Sequence, residues 1–503
     1  MNKKYIKFSI ISFGLLLGAC SEDFLDKSDP TQLVASSYYQ SEAQIKQAVN
    51  GVYGQLQPIV SNQWQYNEFI TDNTTLHFNE ADRGQGPALE AIEFWQINAS
   101  TPNITSLYNS IYQALVNINT TLSKLPGSNA GDEIKNQFEA ELKFIRAYYY
   151  FHLVQYFGEV IIITEPLTTP SEAYGFERQP VEKVYELILS DLNFAVSALP
   201  PTYSNSADKG RATKGAALSL LGKVHLTRKE YAEAVSTLSQ VQGLGYSLLT
   251  NYADVFDPVK KNHAESIFDV QFQGNNLLGE NSSFIYTFAP RNSSGAVINF
   301  PGQNGGGWNI PSRDIIAAYE PDDARKDVSL KEGYTDKNSN WVAVPFINKY
   351  NHPHTIVGRA DDNWPVLRYA DVLLMLAEAI NEQQAGPNQD AYDYLNEVRD
   401  RAGLLPLSGL DQASFRAAVL KERRLELAFE NHRWFDLKRT KTPEELAAFL
   451  NAYGEFEKSN PTTSRAGIPF SGADFKFEPY ESLFPIPAPE IRINTKLSQN
   501  YGY

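Results

Sequence analysis

Apolar residues recur at intervals of three and four over most of the chain, a spacing that places them on one face of a helix. SEAQIKQAVNGVYGQLQ, residues 41–57, shows this pattern, and Ser41 is positioned to cap the first turn. Pro200 marks the end of another helix, because proline cannot continue one. The pattern predicts a mainly α fold, with helices over residues 41–57, 104–124, 132–157, 181–199 and 412–431.

Two segments show the alternation of small and large apolar residues that is typical of tetratricopeptide hairpins. Residues 212–245 predict two helices joined at Thr227–Glu230, and residues 368–404 predict a second pair. The intervals between the pairs are irregular, which argues against a uniform solenoid. We therefore expect a packed scaffold of tetratricopeptide-like helix pairs, covering residues 41–57, 104–245 and 366–450.

Three other stretches are rich in Gly, Asn, Pro and Ser, with aromatic residues interleaved: residues 58–103, 250–365 and 451–485. Within the second of them, only a short helix near Ser312–Tyr319 fits the pattern. Long irregular stretches in a compact protein usually form a functional surface held by the rigid part. We expect residues 41–503 to form a single domain in which these three excursions provide the binding region.

The one cysteine of the chain, Cys20, follows Leu17-Gly18-Ala19. A short basic start and an apolar run from Phe8 to Leu17 precede it, the arrangement of a secretory signal and too short for a membrane span. L-G-A-C is similar to a bacterial lipobox, in which the cysteine is acylated. We expect residues 1–19 to be a signal peptide and residues 20–40 a tether lipidated at Cys20; a buried structural cysteine is the alternative.

The net charge of the chain limits the classes of partner that it is expected to bind. The 503 residues include 44 basic and 59 acidic side chains, a net charge of −15. Such a balance argues against nucleic acid as a partner and against charge-driven binding to anionic lipid, and it mildly favours a neutral ligand. With no cysteine beyond Cys20, the mature fold has no disulfides and depends on its core.

Five long motifs stand out along the chain: FEAELKFIRAYYYFHLVQYFGEV at 138–160, NWPVLRYADVLLMLAEAINE at 363–382, LNEVRDRAGL at 395–404, KERRLELAFENHRWFDLKR at 421–439 and LFPIPAPEI at 483–491. They resemble signatures of the SusD-like (RagB/SusD) outer-membrane lipoproteins of the Bacteroidetes. Their order and spacing match over nearly the whole mature chain, and the lipobox and the acidic Ser21-Glu22-Asp23 fit the same family.

The resemblance implies four tetratricopeptide-like helix pairs with an irregular ligand-binding region, exposed at the outer-membrane surface. It also implies a SusC-like TonB-dependent transporter as the partner, which the protein covers as a lid. The usual cargo is an oligosaccharide released from a polysaccharide.

The charged residues of these motifs are expected to be scaffold rather than site. Glu141 and Arg146, in the helix of residues 138–160, fit a buried or half-buried ion-pair network. Six further charges spread around a helix and beyond its end, as structural salt bridges do, and Trp434 beside them fits the core. The six are Glu422, Arg423, Arg424, Glu426, Glu430 and Arg433.

A neutral sugar is held by aromatic faces and by planar polar side chains, so the site is sought in the excursions. Trp308 is the leading residue, because it follows three glycines that allow the backbone to expose a ring. The alternatives for these aromatic residues are plugs that pin the loops to the scaffold, or contacts to the transporter. The candidate ligand-binding residues are Trp308, Trp95, Trp64, Tyr286, Asp72, Asn73, Arg83, His77 and Asn309.

Motifs for catalysis are missing: the sequence contains no H-E-x-x-H, G-x-S-x-G or G-x-x-x-x-G-K-[ST]. His352 and His354 lie near Asp361 and Asp362 but have no evident further metal ligand, so no metal or cofactor is expected. A binding protein is therefore predicted and not an enzyme. The open alternatives are a lid for a non-glycan nutrient such as peptide, a passive lid and, less favoured, a surface glycosidase.

Overall fold

The computed structural model describes residues 38–78, 86–167 and 169–503. Cys20 and Arg83 lie outside the described residues. The helices are α1 Glu42–Gly54, α2 Leu56–Asn67, α3 Gly86–Glu93, α4 Pro102–Lys124, α5 Asp132–Phe157, α6 Val181–Ala198, α7 Lys214–Thr227, α8 Tyr231–Gln242, α9 Phe284–Phe288, α10 Arg313–Ala318, α11 Lys326–Ser329, α12 Tyr369–Gln383, α13 Gln389–Arg401, α14 Gln412–Glu426, α15 Arg433–Thr440, α16 Pro443–Ser459 and α17 Ala488–Ile493.

The predicted mainly α fold and its helix pairs are confirmed. Helices α4, α5 and α6 pack side by side, α7 packs on α8, and α12 packs on α8, α13 and α14. Both predicted hairpins form, one as α7 and α8 and the other as α12 and α13. Capping boxes mark the N-termini of two helices. Ser41 and Gln44 form one at α1, and Thr442 and Glu445 form the other at α16.

The structure differs from the predicted helices in three places. The 58–103 excursion is partly helical, because α2 tolerates Pro58 in its first turn and buries nearly every side chain after Ile59, which hides the amphipathic period. Helix α16 runs to Ser459, beyond the predicted scaffold end at 450. Helix α14 ends at Glu426 rather than at residue 431, because the turn that follows gives Phe429 and Asn431 positive φ values of 66° and 70°, which a right-handed helix does not contain.

The strands are short and form four two-stranded antiparallel ribbons: β1 with β3, β2 with β8, β4 with β7 and β5 with β6. In the longest ribbon, Ser266 pairs with Arg368 and Val270 with Trp364. The strands are β1 Thr74–Thr75, β2 Ser266–Val270, β3 Ile310–Pro311, β4 Leu330–Lys331, β5 Tyr334–Thr335, β6 Trp341–Val342, β7 Phe346–Ile347 and β8 Trp364–Arg368.

One large apolar core joins the scaffold helices to parts of all three excursions, including Trp95, Phe288 and Phe475. A smaller cluster around Ile285, Ile298 and Phe346 supports the part of the second excursion that contains Tyr286. Within the described ranges, no helix is long and apolar enough to cross a membrane.

Candidate functional site

The charged side chains of the signature motifs form buried ion pairs, as the sequence predicted. Arg146 donates to both carboxylate oxygens of Asp191 at 2.7 and 2.8 Å, and Glu141 pairs with Arg211 at 2.8 Å. Arg368, the last residue of β8, pairs with Glu426 and Glu430 at 2.5 and 2.7 Å. These side chains are almost completely buried, so they tie helices to the excursions and offer nothing to a ligand.

Asp72 and Asn73 belong to this same network rather than to an open surface. Arg433 donates to both oxygens of Asp72 at 2.8 and 2.7 Å, and Arg424 contacts the same carboxylate at 2.9 Å. Burial alone would raise the pKa of Asp72, but the two guanidinium groups lower it to about 2. Asn73 bridges Glu68 and Arg424 at 2.9 and 2.8 Å. Both residues are about 2% exposed or less, which removes them from ligand contact.

Trp64 and Trp95 are also core residues, each 3% exposed. Trp64 lies in α2 and packs edge-on against Phe69 and Phe288. Trp95 donates its indole N–H to the Ile70 carbonyl at 3.0 Å and packs against rings from the third excursion. Of the alternatives stated above, the structure places both rings as plugs that pin loops to the scaffold.

Asn309 pins the first two excursions together. Its Oδ1 accepts the Thr74 hydroxyl at 2.7 Å, and Thr74 pairs with Pro311 in the β1–β3 ribbon. Ser312 adds a hydrogen bond to the Asp72 carbonyl at 2.6 Å. Asn309 is 1% exposed, so its role in the described structure is to position its neighbour Trp308.

Trp308 is half-buried and follows a glycine run that lies along the end of α9. The amides of Gly306 and Gly307 donate to the carbonyls of Tyr286 and Ala289 at 2.8 and 2.9 Å. Gly307 has a φ of +66°, and a Cβ there would lie 2.8 Å from Arg291 Cγ and 2.9 Å from His77 Cβ. Glycine is therefore needed for the close approach that brings Trp308, Arg291 and His77 together.

Arg291 and His77 set the electrostatics beside Trp308. The Arg291 guanidinium lies over the indole ring, 4.6 Å from its centre. His77 donates its backbone N–H to the Gly307 carbonyl at 2.7 Å. Burial and, to a smaller extent, the Arg291 charge lower the pKa of His77 to about 4, so its imidazole is neutral at pH 7. The group presents one fixed cation, a neutral imidazole and an aromatic ring.

Tyr286 lies on α9 and is joined to this group through its backbone carbonyl, which accepts the Gly306 amide. Its hydroxyl hydrogen-bonds His354 Nε2 at 2.7 Å, and the His354 ring packs against Phe300 with centroids 4.9 Å apart. His352 instead bonds Asp362 at 2.5 Å, so the two histidines have different partners. In the part of the chain that the structure describes, no group of three or more side chains is arranged to hold a metal ion.

The third excursion reaches the same region through Arg465. Its guanidinium lies between two rings, 4.4 Å from the centre of Phe78 and 4.0 Å from that of Phe470. Thr463 holds this segment by donating to the Leu76 carbonyl at 3.1 Å. Phe78 directly follows His77, so segments from all three excursions meet here.

Sequence reasoning does not identify Arg291, Phe78 or Arg465 as members of this region, and it considers His354 only as a metal ligand. Nothing in the residues around Arg291 indicates that it lies over a tryptophan in a different part of the same excursion. Trp341, on β6, was also passed over, although it is 63% exposed. We call Trp308, Arg291, His77 and Tyr286 the Trp308 surface.

Two family models match the chain. One, described as "SusD family", covers residues 329–503, and the other, described as "Starch-binding associating with outer membrane", covers residues 23–226. Each model takes in a signature recognised above, the 421–439 motif and the 138–160 helix respectively.

Proteins that align with nearly the whole chain are also SusD or SusD-like proteins. A SusD-like protein of Formosa agariphila is 29% identical, over 98% of this chain and 99% of that protein. The starch-binding protein SusD of Bacteroides thetaiotaomicron is 24% identical, over 100% of both. Among solved structures, a laminarin-binding SusD-like protein matches with a TM-score of 0.75 and 28% identity, over 92% of this chain and 100% of that one.

Proposed function

Since the chain belongs to the SusD/RagB family, whose members are binding proteins rather than enzymes, we propose that it binds a neutral glycan at the cell surface and delivers it to a SusC-like TonB-dependent transporter, which it covers as a lid. The observation that supports a glycan is the Trp308 surface. It combines a half-buried indole, a guanidinium fixed over that indole and a neutral imidazole.

Each component suits a polyhydroxylated ligand. An aromatic face packs against the C–H surface of a sugar ring, and a fixed guanidinium presents several N–H donors to hydroxyl oxygens. The neutral imidazole of His77 adds a donor or an acceptor without a charge that must be desolvated. The Tyr286 hydroxyl, already held by His354, is positioned in the same way. Two relatives are named for laminarin and for starch, both neutral glycans, which supports the preference for an uncharged cargo.

The surface location rests on the N-terminal segment. We propose that residues 1–19 are removed as a signal peptide, that Cys20 is acylated and that residues 20–40 form a tether to the outer membrane. Acylation at more than one position gives stable anchoring, whereas a single chain gives only marginal binding. Replacing Cys20 by Ser should release the protein from the membrane fraction, and an unchanged membrane fraction would contradict lipid anchoring.

Calorimetry tests the cargo. The described fold begins at residue 38, so removal of the first 20 residues leaves it complete and gives a soluble sample. This sample is titrated with starch, laminarin, xylan and mannan, with oligosaccharides of each, and with alginate as an acidic control. We expect binding to one neutral glycan, and we expect Trp308→Ala to weaken the binding at the Trp308 surface roughly tenfold. Preferential binding of alginate would overturn the neutral cargo, and binding only to a peptide panel would overturn the glycan.

The transporter assignment needs its own measurement. Affinity purification of the lipidated protein from outer membranes should recover a TonB-dependent transporter in a fixed ratio. Recovery of the protein alone, under conditions that keep other outer-membrane complexes intact, would contradict the lid.

A further inference from the structure

A large groove lies on the scaffold side of the molecule, and it shares no lining residue with the Trp308 surface. One wall is α1, through Lys46, Asn50 and Gly54, and the floor is the end of β2 with the residues that follow it. Its volume is about 840 Å³, within the range of about 300–1,000 Å³ that is usual for ligand sites. We call it the α1–β2 groove.

The segment Lys209–Arg211 borders this groove and a second recess of about 270 Å³ on its far side. Gly210 has a φ of +93°, and a Cβ there would lie 2.6 Å from Gln271 Cδ. Only glycine allows the segment to lie this close to the groove floor. The segment therefore lies between two recesses that also share Asp269 as a lining residue, and we call them the smaller and the larger lobe.

The floor is held rigid by an amide network. Gln57 donates to the Gln271 carbonyl at 2.8 Å, while Gln271 and Asn262 exchange hydrogen bonds at 3.0 Å in each direction. The Gln271 amide also accepts from Asn363 and donates to the Asp269 carbonyl, both at 3.0 Å, so its hydrogen bonds are all used within the protein and it fixes the groups around it. Pre-organisation of this kind lowers the entropic cost of holding a ligand.

Asp269 is the group whose hydrogen bonding is incomplete. Its side chain is 8% exposed, and Oδ2 accepts the Ser266 hydroxyl at 2.7 Å. Oδ1 is buried and has no hydrogen-bond partner among the described residues, although both lobes reach Asp269. An unpaired buried acceptor is destabilising, so a hydroxyl or water donor is expected there.

The aromatic content of the two lobes resembles that of a sugar site. Half-buried Tyr203 and Tyr246 line the smaller lobe and half-buried Tyr53 the larger one. Their hydroxyls are held, at 2.9 Å by the Ala212 carbonyl for Tyr203 and at 3.1 Å by Thr213 for Tyr246. The rings of Tyr203 and Tyr246 are thus fixed where they line the smaller lobe, while the Arg211 guanidinium lies over the Tyr53 ring, 5.6 Å from its centre.

Charge excludes a strongly anionic ligand. Lys46 pairs with Asp208 at 2.8 Å, Arg211 with Glu141 at 2.8 Å and Lys261 with Asp361 at 2.6 Å. The remaining cation of the lining, Lys209, faces a lining that also contains Asp269 and Glu280. The groove therefore has many hydrogen-bonding groups and no positive excess.

We propose that the α1–β2 groove is a second binding site for a neutral glycan chain, separate from the Trp308 surface. The choice of glycan as the ligand class rests on the proposed function, whereas the groove itself does not. Two sites on one protein would raise the avidity for a long polymer without requiring tight binding at either.

The test uses the calorimetry sample and its neutral polysaccharides. A Cβ at Gly54 meets no atom within 4 Å, so Gly54→Trp places a ring in the groove without a backbone clash. Gly51→Trp is the matched control, because a Cβ at Gly51 is equally free and Gly51 does not line the groove. Gln273→Ala, which removes an exposed lining side chain, is a second variant with little influence on folding.

We expect Trp308→Ala to leave a second binding step for the polymer, and Gly54→Trp to weaken that step at least tenfold. Gly51→Trp should not change it, and Gln273→Ala should weaken it less. Hydrogen exchange should show polymer-dependent protection of residues 203–213 and 269–273 in the Trp308→Ala protein.

The outcomes separate the two proposals. If Trp308→Ala abolishes all binding and Gly54→Trp has no effect, the groove is not a glycan site and the proposed function stands. If Gly54→Trp abolishes binding and Trp308→Ala does not alter it, the groove is the site and the Trp308 surface is not. If calorimetry detects no binding heat with any neutral glycan, both proposed sites are overturned. If Gly54→Trp leaves glycan binding unchanged but the transporter is no longer recovered, the groove is a contact surface for that protein instead.

Discussion

Arg433 and Asp72 form a two-point ion pair, with both guanidinium–carboxylate distances below 2.9 Å, across 361 positions of sequence. Arg433 belongs to a signature motif on the scaffold, and Asp72 belongs to the first excursion. The pair therefore fixes the excursion to the scaffold at the base of the segment that leads to His77. Its contribution is structural, and the binding surface depends on it indirectly.

Asp72→Asn should destabilise the protein by about 3 kcal/mol, because it leaves two buried guanidinium groups without their shared counter-ion. Since the folded pKa of about 2 lies below the usual value of 3.8, the stabilisation is complete above pH 4 and is lost as pH falls towards 2. Urea unfolding at pH 7 and pH 3 measures both effects. Asp327→Asn, at a carboxylate that is 87% exposed, is the control and should change stability by less than about 0.5 kcal/mol.

Trp308→Ala should weaken glycan binding roughly tenfold, the loss of one stacking contact of about 1–2 kcal/mol. Trp341→Ala removes a more exposed tryptophan from the same excursion and should leave the dissociation constant unchanged. Calorimetry of both variants, with melting curves to show that they are folded, makes the comparison. Equal losses in the two variants would mean that Trp308 has no special place in binding.

The scaffold could be predicted from the sequence because its information is local. Helix α4 is predicted over 104–124 and occupies Pro102–Lys124, since its apolar residues recur on one face and that face is the buried one. Trp308 was identified for a local reason too, the glycine run before it. The burial of Trp64 was not, because α2 is buried on nearly all sides and its sequence has no clear apolar face.

The remaining wrong predictions concern side chains whose roles depend on contacts with residues far away in the sequence. Asp72 and Asn73 have the composition of a sugar-binding pair, and only the position of Arg433 and Arg424 shows that their hydrogen bonds are already used. Arg291 was overlooked for the converse reason, because its place over Trp308 depends on the turn at Gly307. Residue type indicates which chemistry is possible, and tertiary contacts decide which groups remain available for it.

Arg291→Gln should raise the pKa of His77 from about 4 towards its ordinary value of 6.5, because it removes the nearby positive charge while burial remains. Burial is the larger cause, so the pKa should stay below 6.5. Titration of the His77 ring protons by NMR measures it, and Arg359→Gln, at an arginine bonded to Asn281 instead, is the control. An unchanged His77 pKa would show that Arg291 does not act on the imidazole.

Glu457 should make the protein less stable as pH rises through neutrality. This carboxylate on α16 is 3% exposed, and burial raises its pKa to about 7, although Thr462 donates to it through its amide at 2.7 Å and its hydroxyl at 2.9 Å. Between the unfolded value of 4.5 and the folded value, the native state holds a proton that the unfolded chain has lost. The stabilisation is therefore complete below pH 4.5 and is lost above pH 7.

Glu457→Gln keeps an acceptor for Thr462 and removes the titration, so its stability should fall less than that of the unmodified protein between pH 5 and pH 8. The difference should be roughly 2 kcal/mol. Urea unfolding at the two pH values measures it, with Glu455→Gln as the control because that carboxylate is 74% exposed on the same helix. The Thr462 hydroxyl also accepts a hydrogen bond from the Arg313 backbone amide, which joins the second excursion to the third. Deprotonation of Glu457 therefore acts directly on the contact between these two excursions. Parallel pH curves for Glu457→Gln and the unmodified protein would instead mean that Glu457 is ionised throughout this range.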